Sequence, residues 1–301
     1  MRFRDKYYIY AIISILMWSI GFVSTRLALA YLNPFSISFL RYVIASAVLI
    51  VVAIVFKIKP PDKKDWGWLV FCGLAGYSVY ITLFTIASLT VTASTNSIIV
   101  ATGPVLTAAL AWLIYKERLK PIQCFAFGLA FSGILVMTLV SGSFETNSGV
   151  LLVFIGTIFL AMYNIVTRKL VKKYSPLQVA IYSIFAGTVA LGVFIPQAAE
   201  DFQRGIQPMG YFYLFILGFF SSAVAFVSWN WAMKTAPKIS YVTNFMFVTP
   251  FLTTILGFLM ANELPGLETL LGGVMILSGL AIFNFHGVMA QWFVRLTRRD
   301  S

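Results

Sequence analysis

Arg41 lies about two turns inside an apolar stretch running from residue 35 to 56. An unpaired cation at that depth in hydrocarbon costs at least ~2.5 kcal/mol, and no Asp or Glu sits at the middle of any apolar stretch to neutralise it. Its partners are therefore carbonyls, water or an anionic group on a solute, a carboxylate above all. The alternative is that the side chain snorkels to the nearer interface, about 10 Å away at 1.5 Å per residue. The other polar groups within apolar stretches are amides: Asn96, Asn164, Asn230 and Asn244. Trp18, Tyr80, Phe84, Tyr163 and Trp229 accompany them, with Tyr77, Tyr80 and Phe84 on roughly one helical face. Aromatic walls with amide hydrogen-bonders suit an amphiphilic or zwitterionic solute such as an amino acid. Each asparagine suits an interhelical hydrogen bond equally well, and each aromatic ring a packing role.

These residue types bind and do not catalyse. The chain has one histidine, His286, and two cysteines, Cys72 and Cys124. Without a mid-span carboxylate they build no nucleophile and base pair and no metal ligand set, and there is no Gly-rich phosphate loop followed by Lys-Ser/Thr. An enzyme, a metal site, a cofactor and an ATP-driven pump are not expected.

The elements that must position these groups are membrane helices. Sixty percent of the 301 residues are hydrophobic and 11% charged, too little polar surface for a soluble globule of this length. Apolar runs long enough to span a bilayer fall near residues 7 to 29, 35 to 56, 66 to 88, 93 to 115, 121 to 140, 149 to 167, 176 to 195, 210 to 233, 239 to 260 and 267 to 289. The fold expected is an all-α membrane protein of ten transmembrane helices. The longest connection, near 196 to 209, is too short for a soluble domain, so a sensor with an output domain does not fit.

The net charge of +12 would suggest nucleic acid in a soluble protein, but here it sets orientation. With the N-terminus inside, Arg2, Arg4 and Lys6, Lys57 to Lys64, Lys116 to Lys120, Arg168 to Lys173, Lys234 and Lys238, and Arg295 to Arg299 all fall in inner loops or tails. Only Arg26, Arg41 and Arg204 do not. Both termini are expected to be cytoplasmic and the chain to sit in the cell membrane, with no nucleic-acid partner. The first apolar run is too long, and lacks the small-residue cleavage site, for a removed leader.

A duplication organises the spans. Pro104, Glu117 and Ser132-Gly133 recur without a gap as Pro250, Glu263 and Ser278-Gly279, and Thr25-Arg26 and Pro34 recur as Thr167-Arg168 and Pro176. Two five-helix copies, residues 1–144 and 145–301, must insert in opposite orientations because five is odd. Pro104 and Pro250 are expected to kink the fourth and ninth helices as paired hinges, or as inherited structural kinks. Glu117 and Glu263 are expected to cap helix ends or pair with neighbouring basic groups. Arg26, whose partner Arg168 reads as an ordinary inner-loop charge, reads as a relic of duplication.

The duplicated unit, the Trp18 to Phe22 stretch (Trp-Ser-Ile-Gly-Phe), Arg41, Thr102-Gly103-Pro104 followed by Glu117-Arg118-Leu119, and the Ser-Gly pair of the fifth span resemble EamA-type members of the drug/metabolite transporter superfamily over essentially the whole chain. The resemblance implies ten helices around a central cavity, cytoplasmic termini, and export of small metabolites or amino acids. Four-helix multidrug relatives in that superfamily carry a glutamate in their first helix; the first span here has no acid, which weighs against cationic drugs. The expected function is a secondary transporter exporting amino acids or related zwitterions by alternating access, with protons or the substrate gradient alone as driving force. The alternative is a multidrug or other metabolite exporter of the same fold.

Overall fold

A computed structural model describes residues 7–115, 121–140, 144–237 and 239–297. Helices fill almost all of it: α1 (Tyr7–Ala28), α2 (Pro34–Val55), α3 (Lys63–Ala87), α4 (Ala93–Leu110), α5 (Pro121–Val140), α6 (Phe144–Lys173), α7 (Pro176–Arg204), α8 (Pro208–Thr235), α9 (Tyr241–Ala261) and α10 (Leu267–Thr297). All but α5 and α10 are long and apolar enough to cross a membrane, and those two carry shorter apolar stretches, Pro121–Met137 and Leu267–Phe283. The chain is a multi-pass membrane protein. Glu117 and its basic neighbours lie outside the described residues.

Local chemistry starts these helices where the repeat said it would. Pro34 and Pro176 each occupy the first turn, where a missing N–H costs nothing. Asn33 caps α2 by accepting from Phe35 N at 3.0 Å, and Ser175 forms a capping box with Gln178 at the start of α7. One expected connection is not a loop. Residues Ile195–Arg204 continue α7 as an amphipathic helix, and its buried Asp201 accepts the backbone N–H of Asn33 at 2.8 Å. Pro196 fits there because it sits in the first turn of that short helix.

Contacts at the helix ends fix the strand of each pass through the bundle. At the end where α1 begins, here the near end, Lys173 at the close of α6 pairs with Asp62 before α3 and Asp65 in its first turn, Gln178 of α7 donates to Lys59 O, and Tyr7 stacks on Tyr241 of α9. At the far end, α1 finishes against the end of α3, the start of α4 and the close of α9. Helix α1 thus runs opposite to α6. The Lys173 hydrogen bond holds the Asp62 carboxyl below the usual carboxylate range. That tie is intact at neutral pH and loosens only as acid carries the carboxyl down through its lowered value.

The principal pairs are α1 with α8 and α9, α6 with α3 and α4, α2 with α7 and α8, α3 with α7, α4 with α9, and, most extensively, α5 with α10. The repeated Ser-Gly pairs belong to that last contact. A Cβ on Gly133 would lie 2.5 Å from Gly272 O, and one on Gly279 would lie 2.6 Å from Ala126 O. Without a hydrophobic force between helices in lipid, such close backbone approach is what holds a pair together. Gly133→Val is therefore expected to force α5 from α10 at a cost of about 1–3 kcal/mol and lower the melting temperature in detergent. Gly128→Val, with nothing within 4 Å of its added Cβ, should leave it unchanged.

Candidate functional site

A cavity lies at the centre of the bundle. It is lined by Trp18, Gly21 and Phe22 of α1, Arg41 of α2, and Tyr80, Ile81 and Phe84 of α3. Ser97, Val100 and Ala101 of α4, Leu160 of α6, Ser221 and Phe226 of α8, and Met246 and Thr249 of α9 complete the lining. The empty space between them, open solvent at the mouth included, is about 540 Å³.

Irregular backbone surrounds this cavity. Helices α3 and α8 each contain a π-helical stretch, Gly73–Val79 and Ile216–Val224, of the kind found at functional sites. Small residues let neighbours approach there: Cβ atoms on Gly76 and Gly218 would lie 2.6 Å from Tyr163 Cδ2 and 2.5 Å from Ile44 Cβ. Helix α4 breaks at 101–102, and α9 passes through a tight turn, Asn244–Phe247. Pro104 and Pro250 follow these irregularities directly, in the first turn of the helical segments Gly103–Tyr115 and Val248–Ala261. The carbonyls their missing N–H groups would have engaged belong to Val100 and Met246, two residues of the cavity wall.

Arg41 does not snorkel. It is 3% exposed, its Nε donates to Ser222 Oγ at 3.0 Å, and its guanidinium carbon lies 5.5 Å from the Tyr42 ring centroid. Among the described residues no carboxylate lines the cavity. One hydroxyl and one ring face leave most of the five donors of the guanidinium uncompensated among the described residues.

Of the residues singled out from sequence, Trp18, Arg41, Tyr80 and Phe84 stand in this wall. Tyr163, Asn164, Trp229 and Asn230 lie beneath it toward the near end, in a buried network. Tyr77 OH donates to Tyr163 OH at 2.7 Å, and Tyr163 OH donates to Asn230 Oδ1 at 3.0 Å. Asn230 Nδ2 donates to Pro176 O at 3.3 Å, and Trp229 Nε1 to Asn164 Oδ1 at 3.2 Å. Trp18 packs on Trp229 with centroids 4.9 Å apart, and Phe226 joins Trp18, Tyr77 and Tyr163 edge-on. The group plugs the near side of the cavity and ties α3, α6, α7 and α8 together. Asn96 Nδ2 donates to Ser88 Oγ at 2.8 Å, and Asn244 sits in the turn of α9.

Sequence reading missed Phe22, Phe226, Ser221, Ser222 and Thr249. A signal for the α8 group was present: Gly73-x-x-Gly76 recurs as Gly218-x-x-Ser221, the small pair that marks each π stretch. It also misjudged Arg26 and Arg168. Arg26 Nη1 donates to Ser88 O at 2.7 Å and Leu89 O at 3.0 Å, at the close of α3, while Arg168 donates to Met233 O and Ala236 O at the close of α8. Each arginine of the repeat closes a helix C-terminus, which explains why both copies keep it. Glu263 pairs with Arg26, as expected of an acid at a helix end.

Asn230→Ala strands the buried Tyr163 hydroxyl, so it should cost about 1–3 kcal/mol and lower the melting temperature in detergent. Combining Tyr77→Phe and Tyr163→Phe with Asn230→Leu, which removes both hydroxyls as well as the amide, should recover part of that loss.

Comparison with known proteins bears on the same residues. Residues 5–139 and 147–285 each match the EamA-like transporter family. A probable terminal-alkyne amino-acid exporter of Streptantibioticus cattleyicolor is 26% identical, with 91% of each chain covered. The uncharacterized transporter YdfC of Bacillus subtilis is 26% identical over 88% of this chain and 86% of its own. A solved crystal structure superposes with a TM-score of 0.63 at 18% identity, covering 93% of this chain and 97% of the other. At that identity the likeness concerns the fold alone.

Proposed function

The chain belongs to the EamA-like transporter family of the drug/metabolite transporter superfamily, and from that premise we propose that it is a secondary transporter exporting amino acids or related zwitterions. The observation that carries the reading is Arg41: a buried guanidinium in the wall of a largely aromatic cavity, with a single hydroxyl as hydrogen-bond partner. A substrate carboxylate would complete it, and Trp18, Phe22, Tyr80, Phe84 and Phe226 would enclose the apolar part. The amino-acid exporter among the relatives supports that choice of solute.

Transport would proceed by alternating access between two inverted halves, residues 1–144 and 145–301, each contributing five of ten spans. The packing supports this. Exchanging each helix for the one five places on converts the α1–α8 contact into α6–α3, α1–α9 into α6–α4, and α2–α8 into α7–α3, while α2–α7, α4–α9 and α5–α10 map onto themselves. The breaks before Pro104 and Pro250 would serve as paired hinges. The near end, which gathers Lys59, Arg168, Lys173 and Lys234, would be cytoplasmic in the cell membrane. Tyr163, Asn164, Trp229 and Asn230 would reach the solute only as the network beneath the wall rearranges, and Asn96 and Asn244 only as α4 and α9 move. Coupling to protons would be decided by imposing a pH gradient.

The test is counterflow of radiolabelled amino acids into proteoliposomes preloaded with each candidate. Accumulation is expected with matching internal solute. Arg41→Gln should lower it at least about tenfold, the effect of losing a charge-assisted hydrogen bond. Substrate analogues with the carboxylate converted to an amide should fail to exchange. Wild-type exchange by Arg41→Gln would remove the carboxylate from the mechanism.

A further inference from the structure

Between the cavity and the far end, α4 and α9 face each other along a seam of hydroxyls. Ser97 and Thr249 stand in the cavity wall. One turn further out on the same helices stand Ser94 and Thr253, both fully buried, whose hydroxyl oxygens have no hydrogen-bond partner. Asn96 Oδ1 on α4 is stranded in the same way. Buried polar atoms in folded proteins are nearly always satisfied, so unpaired oxygens on facing helices require an explanation. Water in another conformation provides one.

A single ion pair covers the outer end of this seam. Asn262 ends α9 in a left-handed turn at φ 50°, and Glu263 N bonds back to Gly257 O at 3.1 Å, which folds Glu263 over the seam. A Cβ on Gly257 would lie 3.9 Å from Ser94 Oγ and 4.0 Å from Glu263 Oε2, so the carboxylate and the stranded hydroxyl both border this glycine. Glu263 Oε1 accepts from Arg26 Nε at 2.7 Å, and Oε2 accepts from Ala93 N at 3.0 Å at the start of α4. Arg26 also holds the last carbonyls of α3. One pair therefore ties α1, α3, α4 and α9 together, and it is accessible to solvent, with side chains 34% and 13% exposed.

We propose that the α4–α9 seam is the far-side exit of the cavity and that Arg26–Glu263 is its latch. Latched, the seam is dry and its oxygens are stranded; when Arg26 releases Glu263, α4 and α9 part and water reaches them. The inference rests on the transporter reading but is tested without a substrate.

With Cys72 and Cys124 replaced by alanine, Ser94→Cys reports access to the seam by its rate of reaction with a membrane-impermeant maleimide applied from the far side. The latched protein should react slowly. Arg26→Gln and Glu263→Gln should each speed labelling at least about tenfold, as expected when a minor open state becomes major. The charge swap Arg26→Glu with Glu263→Arg should restore part of the protection. Val171→Cys, buried near the opposite end, guards against unfolding: faster labelling there too would mean general loosening and would sink the latch. Unchanged labelling of Ser94→Cys in both single variants would do the same. If labelling responds as expected while no amino acid undergoes counterflow, the latch stands and the choice of substrate falls. If counterflow proceeds and labelling does not respond, the reverse holds.

Discussion

Every backbone N–H and C=O within a bilayer must find a partner inside the protein, because the hydrocarbon supplies none. That constraint explains why the spans are helices, and also where they stop being regular. The π-helical stretches of α3 and α8, the break in α4 at 101–102 and the tight turn of α9 all lie around the central cavity. Away from it, α5 and α10 run unbroken for 20 and 31 residues. Irregular backbone is tolerated where protein or water can meet the freed groups. In a transporter a solute would bind at such a place, so the same constraint that builds the fold supports the proposed site.

Packing follows a second rule of the bilayer. Helices already in lipid gain little from burying apolar surface, so they are joined by close backbone approach and by hydrogen bonds. The glycines of α5 and α10 supply the first. The Tyr77–Tyr163–Asn230–Pro176 chain supplies the second, linking α3, α6, α8 and the start of α7. Where the two rules conflict, hydroxyls between α4 and α9 are left unpaired, and that conflict sits on the path between cavity and far end.

Much of this was legible in the sequence because the relevant signals are local or repeated. Helix starts at Pro34 and Pro176, the apolar spans and the Ser-Gly pairs needed only spacing and composition. The role of each polar side chain was less legible, because it depends on partners far away in the chain. Asn230 and Asn164 look like cavity amides until Tyr163 and Trp229 are seen to consume them. Arg26 looks vestigial until Glu263, 237 residues later, comes to meet it. Residues Ile195–Arg204 read as a connection because their charge hides an amphipathic helix, whose Asp201 holds the start of α2.

The burial of Arg41 has an electrical consequence. A unit charge carried through a membrane potential exchanges about 2.3 kcal/mol with the field per 100 mV. Were two halves to rock about a guanidinium fixed in the wall, the access path would switch from one side of it to the other, and the charge would meet the potential of each side in turn without itself moving far. A zwitterion bound to it would add no net charge. Each switch, empty or loaded, would then feel the membrane potential, but the two would cancel over a full cycle, so only a co-transported ion could make that potential a driving force.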